Sequence, residues 1–374
     1  MKKSTRKIFK VLLYPVGGIL VIISGLTFTL WIKSPGKADP ILNSNGKIQT
    51  GSISTIEEVT LGGQEQYLII RGADSTKPVM LFLHGGPGHP ELAFMKNANQ
   101  AIEKDFVMVY WEQRGAGKSF SKHIPAESMN LAQFISDTRE LSQILAKRFK
   151  QEKIYVMGHS WGSLLGILTV HQYPELFHAY LGVGQIGHLY KSEQLSFNWV
   201  KDQAVKRNNK EALKALTELS YPDSLASWDT WLKFLMVERK YVTQFGGGLT
   251  HKITAEMWPV TKMMLAAKEY TLSEKMEFLT GSMYFSVYHL FLEVLNKNLL
   301  NDIDSLQVPV YIFQGKHDYQ TAYLIAKDFY DQLKAPHKEF FTFENSAHSP
   351  NIEEVDKFNS LVKEKTRTPN NANK

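Results

Sequence analysis

Lys153-Ile154-Tyr155-Val156-Met157-Gly158-His159-Ser160-Trp161-Gly162-Ser163-Leu164-Leu165-Gly166 is the stretch that decides the fold. The β-branched residues Ile154 and Val156 alternate along a run that ends in Gly-x-Ser-x-Gly, and small and helix-forming residues follow at once. This spacing predicts a strand, a sharp turn with Ser160 at its apex in strained geometry, and a helix departing immediately. Gly158 and Gly162 are expected because a side chain there would strike the neighbouring strand and helix. Such a turn exposes the Ser160 hydroxyl and aims a helix N-terminus at it, where the charge of an oxyanion would develop.

The chain of 374 residues is long enough for one large domain, or for a core with an insertion. Hydrophobic residues at 43% and charged residues at 21% exclude a disordered chain. The net charge of +6 does not point to nucleic acid, because Lys2, Lys3, Arg6, Lys7 and Lys10 account for +5 of it within residues 1–10. Val11 to Ile32 then form 22 residues without a charged side chain. As a helix they would extend about 33 Å, enough to cross a hydrocarbon core. The expectation is a basic cytoplasmic flank over 1–10 and a retained transmembrane anchor over 11–32. The catalytic domain would lie outside the cell membrane. The apolar run exceeds that of a cleavable signal peptide, and no small-x-small cleavage site follows cleanly. Absence of Cys excludes a disulfide framework and a thiolate metal site.

Residues 33–52, rich in turn formers, read as a linker. Glu58-Val59-Thr60-Leu61 and Tyr67-Leu68-Ile69-Ile70, flanking Gly62-Gly63, predict a β-hairpin. Val79 to Leu83 and Phe106 to Tyr110 are continuous apolar runs, as in strands buried on both faces. Leu131, Phe134, Ile135, Leu141, Ile144, Leu145 and Phe149 fall on one helical face. Another short strand is expected near Tyr180 to Val183. Strand and helix thus alternate, which implies an α/β class with a mostly parallel sheet covered on both sides. From 186 to 301 strand-like runs are scarce and Trp199, Trp228, Trp231 and Trp258 appear. This segment reads as a helical cap with an aromatic core, and Gly246-Gly247-Gly248 as a hinge or loop within it. Alternation resumes with strands over 308–313 and 339–343, a helix over 321–333, and a final helix from about Asn351. The core is therefore expected over 53–185 and 302–366, with a frayed tail over 367–374.

A serine needs a base, and the base needs an orienting carboxylate. In such a sheet both should follow later strands, acid before histidine. Asp318 follows the strand 308–313, and His348 follows the strand 339–343. His84, His89, His159, His171, His251, His317 and His337 lie elsewhere, and Asp302 and Asp304 precede their strand at the opposite edge. The expected triad is Ser160, Asp318 and His348. Oxyanion donors are expected from the backbone of Gly86, in His84-Gly85-Gly86-Pro87-Gly88, and of Trp161. Gly85 beside them is a further candidate for substrate contact. Gly115-Ala116-Gly117-Lys118-Ser119 imitates a phosphate loop but has Glu112 where that motif needs glycine. No His-x-x-x-His pair supports a catalytic metal.

Three spaced motifs over roughly 55 to 365 resemble the α/β-hydrolase fold, and within it the proline iminopeptidase-like branch. They are His84-Gly85-Gly86-Pro87-Gly88, Trp111-Glu112-Gln113-Arg114-Gly115-Ala116-Gly117-Lys118-Ser119 and Gly158-His159-Ser160-Trp161-Gly162-Ser163. The resemblance implies a serine hydrolase with a helical cap, cleaving an amide or ester of a small molecule or short peptide without a cofactor. Glu112 stands where the family has Asp, a change expected to be tolerated. The family's cap glutamates, which hold a substrate's free amine, have no match: Leu232 follows Trp228-Asp229-Thr230-Trp231, and Gly281 stands before Ser282-Met283-Tyr284-Phe285. Asp229 and Glu238 are the candidates to replace them. Without a carboxylate partner a buried ammonium would cost several kcal/mol, which would favour the neutral substrates of a carboxylesterase or lactonase. A non-catalytic binding protein is the remaining alternative. A dehalogenase or epoxide hydrolase would need a carboxylate where Ser160 stands.

Overall fold

The computed structural model describes residues 18–366 apart from 20, 253–256, 279, 280 and 282, with the side chains of 257–261 also outside the description. Eight strands form one sheet: β1 (Ile53–Leu61), β2 (Gln64–Gly72), β3 (Val79–Leu83), β4 (Val107–Glu112), β5 (Ile154–His159), β6 (Phe177–Val183), β7 (Val310–Gly315) and β8 (Lys338–Phe343). Their spatial order is β1-β2-β4-β3-β5-β6-β7-β8. The first two ladders are antiparallel and the remaining five are parallel.

The hairpin turns through Gly62 and Gly63, both at positive φ (51° and 75°), the geometry a two-residue turn between twisted strands requires. β3, β4, β5 and β7 are buried at every position, as their unbroken apolar runs dictate. The helix Leu131–Arg148 starts at Asn130, whose side chain accepts the Gln133 N–H. Its inner face includes Asp137, buried with Arg114 at 3.0 Å, while Ile144 of the expected apolar face is exposed.

Register places the chemistry. Leu83 stands opposite both Trp111 and Gly158, His159 opposite Val183, and Val183 opposite Phe313. The carboxyl ends of β3 and β5 therefore finish within one residue of each other, those of β7 and β8 lie two residues further along, and the loops after all four share one edge of the sheet. Helices occupy the chain between β6 and β7, from Leu189–Lys206 through Met283–Asn296 to Leu299–Asp302. Trp231 is fully buried there, against Tyr221, Phe234 and Phe291, so the tryptophan-rich character is that of an aromatic core. The glycine triplet is a packed loop rather than a hinge. Gly246 caps the helix Trp228–Phe245 at φ 87°, and a Cβ on Gly247 would lie 2.7 Å from the Trp199 ring.

The expected anchor falls partly on residues 11–17 and 20, which lie outside the described residues, as does the tail 367–374. Residues 18, 19 and 21–32 are helical and almost wholly exposed. Among the described residues no helix is long and apolar enough to cross a membrane.

Glu112 faces the interior, where its carboxylate accepts from Tyr270 Oη and, at 2.6 Å, from the Lys118 N–H. Burial pushes its pKa up to about 7 despite these donors. The folded state thus holds this proton more tightly than the unfolded chain, whose value is near 4.5. That preference stabilises the fold fully below about pH 4.5 and is lost as pH rises through about 7. Compared with Glu112→Gln, the wild-type thermal midpoint should fall between about pH 5 and about pH 8. Parallel midpoint–pH curves for the two proteins would refute this.

Candidate active site

Ser160 sits between β5 and the helix Trp161–Gln172 at φ 54°, ψ −119°, a conformation that L-residues rarely adopt. Two close approaches hold it there. A Cβ on Gly158 would lie 2.1 Å from the Gly162 carbonyl oxygen, and one on Gly162 would lie 2.0 Å from that of Leu83. Both obstacles are backbone, so they cannot move aside. Gly162→Ala should therefore cost about 3 kcal/mol or more, read as a shift of the urea midpoint. An unchanged midpoint would mean the elbow can relax.

His348 and Asp318 meet at the same edge. His348 Nδ1 lies 2.9 Å from Asp318 Oδ2, and both side chains are almost fully buried. Asp318 also accepts from Gln314 Nε2 and Thr321 Oγ1, both at 2.8 Å, and from the backbone N–H groups of Gln320 and Thr321. These donors fix the carboxylate, which in turn directs Nδ1–H of the imidazole and turns Nε2 away from it. The His348 loop is braced from the segment after the glycine triplet. The His348 N–H donates to the Gly248 carbonyl at 3.2 Å, and Glu353 accepts from Ala347 N–H on one oxygen and His251 N–H on the other, each at 2.8 Å.

On the opposite side, the Gly85 N–H donates to Glu91 Oε1 at 2.8 Å, so Gly85 is committed to structure and the donor next along the turn is that of Gly86. Trp161 opens its helix, where the first N–H groups have no intrahelical acceptor. Gln113 ties these two parts together. It donates from Nε2 to the His84 carbonyl at 3.1 Å and accepts from the Trp161 indole at 2.8 Å. His84 is buried and pushed down to about 4, so it is neutral, with Nε2 accepting the Gln113 N–H. His159 is buried as well, which disfavours its charge, but Glu91 at 2.8 Å overrides this and raises its pKa.

A cavity of about 190 Å³ opens over Ser160, lined by Gly86, Trp161, Ile186, Leu189, Glu193 and Arg239 among others. Among the described residues the acid that reaches it is Glu193, which sequence reasoning missed. Asp229 is exposed in the first turn of the helix Trp228–Phe245, away from the site. Glu238 is fully buried one layer back, accepting from Ser196 Oγ, with its other oxygen 3.8 Å from Arg239 Nε. Arg239 bonds Glu193 and so stands between two carboxylates. Burial raises both glutamates, Glu193 to about 8. Glu193 Oε2, Glu238 Oε2 and Arg239 Nη1 are buried without a hydrogen-bond partner among the described residues. The sequence did carry a signal: Glu193 interrupts the apolar stripe Leu189, Phe197, Val200, Ala204 of its helix.

This elbow, sheet and set of loops define a class, and residues 78–355 match the family model for the alpha/beta hydrolase fold. The chain belongs to that family. Among its relatives is the "Probable aminopeptidase YbaC" of Bacillus subtilis (strain 168), 34% identical over 318 residues that cover 84% of this chain and 97% of the relative. The proline iminopeptidase of Lactobacillus helveticus is 23% identical, over 81% of this chain and 94% of its own. Among solved structures, the proline iminopeptidase of Mycobacterium smegmatis superposes with a TM-score of 0.60 at 16% identity, over 83% of this chain and 97% of that one, a likeness of fold.

Proposed function

We propose that this chain is a serine hydrolase with aminopeptidase action on short peptides or aminoacyl amides. The observation that carries the reading is the 2.9 Å Asp318–His348 contact at the sheet edge where Ser160 occupies its strained elbow. His348 Nε2 would take the Ser160 proton as Oγ attacks the carbonyl, and Asp318 would hold the imidazolium that forms. The N–H groups of Gly86 and Trp161 would receive the oxyanion. His348 would then protonate the leaving amine, and water would cleave the acyl-enzyme by the same route.

The similarity to an aminopeptidase and to proline iminopeptidases supports an amide with a free amine. Glu193 and Glu238 around Arg239 fit it chemically. With both acids ionised the cluster carries one net negative charge, which an incoming ammonium neutralises. The second reading, a carboxylesterase or lactonase, is favoured by the apolar remainder of the cavity, where Ile186, Leu189 and Phe291 would suit a neutral acyl group. A matched panel of aminoacyl and N-blocked or simple acyl p-nitrophenyl substrates decides. Turnover confined to blocked and acyl substrates would end the aminopeptidase reading. Absence of turnover on every ester, amide and lactone by folded protein would leave a ligand-binding homologue. Residues 11–32 fit a single-pass anchor with its basic flank in the cytoplasm and the hydrolase domain outside.

A further inference from the structure

The chain leaves the exposed apolar helix and enters the cap almost at once. Val21, Ile22 and Ile23 are 73%, 63% and 52% exposed, and three successive residues cover most of a helical turn, so this part of the helix does not rest on the domain. Yet Ser34, two residues beyond Ile32, is buried, and its Oγ accepts at 2.8 Å from the fully buried Lys275. Pro35 pairs with Thr271, and the Lys37 N–H donates to the Lys268 carbonyl at 3.0 Å. Asp39 binds both Lys96 and Lys268. Two residues span at most about 7 Å, so the helix end and this edge of the cap cannot part without breaking those bonds.

The surface at that junction has the chemistry of a bilayer interface. Trp31 is 62% exposed, Lys33 two residues on is exposed as well, and so are Lys37 and Lys268, which the backbone bond between them holds together. An indole beside cations is the pairing found at headgroup depth, and the lysines complement anionic lipid. A concavity joins Trp31 and Ile32 to Thr271 and Leu272; close by, Lys118 bonds Glu274, and Phe120 packs on Phe285 of the helix Met283–Asn296. Val287, Phe291 and Val294 of that helix line the cavity over Ser160, and Tyr284 and Tyr288, towards its N-terminal end, stand half exposed. Both tyrosine rings pack against Trp228, which limits their freedom while leaving them at the surface.

We propose that this cap face, from Trp31 and Lys33 to Tyr284 and Tyr288, lies on the lipid surface at headgroup depth, so that the cavity over Ser160 is filled from the membrane interface. It rests on the reading of residues 11–32 as an anchor. The chain has no cysteine, so a single introduced thiol labels one place. Lys33→Cys, Tyr284→Cys and Tyr288→Cys, with Glu152→Cys before β5 at the far end of the sheet as reference, are labelled with an environment-sensitive fluorophore. The full chain is then placed in phosphatidylcholine–phosphatidylglycerol vesicles. A lipid-borne nitroxide should quench positions 33, 284 and 288 several-fold more strongly than 152, and aqueous iodide should do the reverse. If 33 is lipid-quenched while 284 and 288 behave like 152, the anchor stands and the proposal falls. If all four behave as aqueous, the anchor reading fails and takes the proposal with it. Labels at 284 and 288 shielded from both quenchers would mean that protein covers this face, which also overturns it.

Discussion

Ser160→Ala is expected to lower kcat by about 10⁴-fold or more while leaving the fold intact. The size follows from the site acting as a unit: His348 and Asp318 have no proton to move once the hydroxyl is gone. No neighbour can substitute. The nearest serine along the helix, Ser163, donates to the Ser160 carbonyl and accepts from the Ile186 N–H, so it is committed to holding the elbow. Stability should change little, because the Ser160 side chain makes no capping hydrogen bond and alanine inherits the same φ of 54°. Fluorophosphonate labelling and thermal unfolding of both proteins measure the two halves. Equal labelling of Ser160→Ala and wild type would remove Ser160 from the mechanism.

Glu193→Gln should lower kcat/KM for free-amine substrates by about 10²–10³-fold, with N-blocked acyl substrates changed by no more than about 3-fold. Among the described residues Glu193 is the acid that meets the cavity, and its Oε2 is an acceptor without a partner there. Burial raises Glu193 to about 8, so in the empty site at neutral pH it largely holds its proton. An ammonium beside it would draw out the ionised form, and glutamine cannot supply that charge. The amide still accepts from Arg239, and Glu238 remains on the other side of the guanidinium, so the cap should keep its packing. Kinetics on paired substrates, with the thermal midpoint as control, settle the matter. An equal loss on both substrate types would make Glu193 a structural residue and withdraw the amine reading.

The elbow was legible because its requirements are local. Gly-x-Ser-x-Gly after an alternating β-branched run fixes both the turn and the two close approaches, and the structure meets each one with a backbone atom. The burial of β3, β4, β5 and β7 at every position followed from their unbroken apolar runs, as strands covered on both faces require. Asp318 and His348 could be named from their positions after later strands, and the chain brings them to 2.9 Å. The cap was less legible. Asp229 was a candidate from its place in a motif, but its position in the first turn of its helix sends it to solvent. Glu193 carried no motif and met the cavity because of how its helix packs against the helices Trp228–Phe245 and Met283–Asn296.

By itself, then, the sequence determined an alternating strand-and-helix architecture and the elbow, because periodicity and glycine sterics act over a few residues. Only the tertiary structure decided which carboxylates surround Arg239, that Gly85 is spent on Glu91, and that the segment after Ile32 is fastened to the cap. Those are contacts between residues tens to hundreds of positions apart. The angle and rotation of whole helices set them, and no short stretch of sequence encodes that.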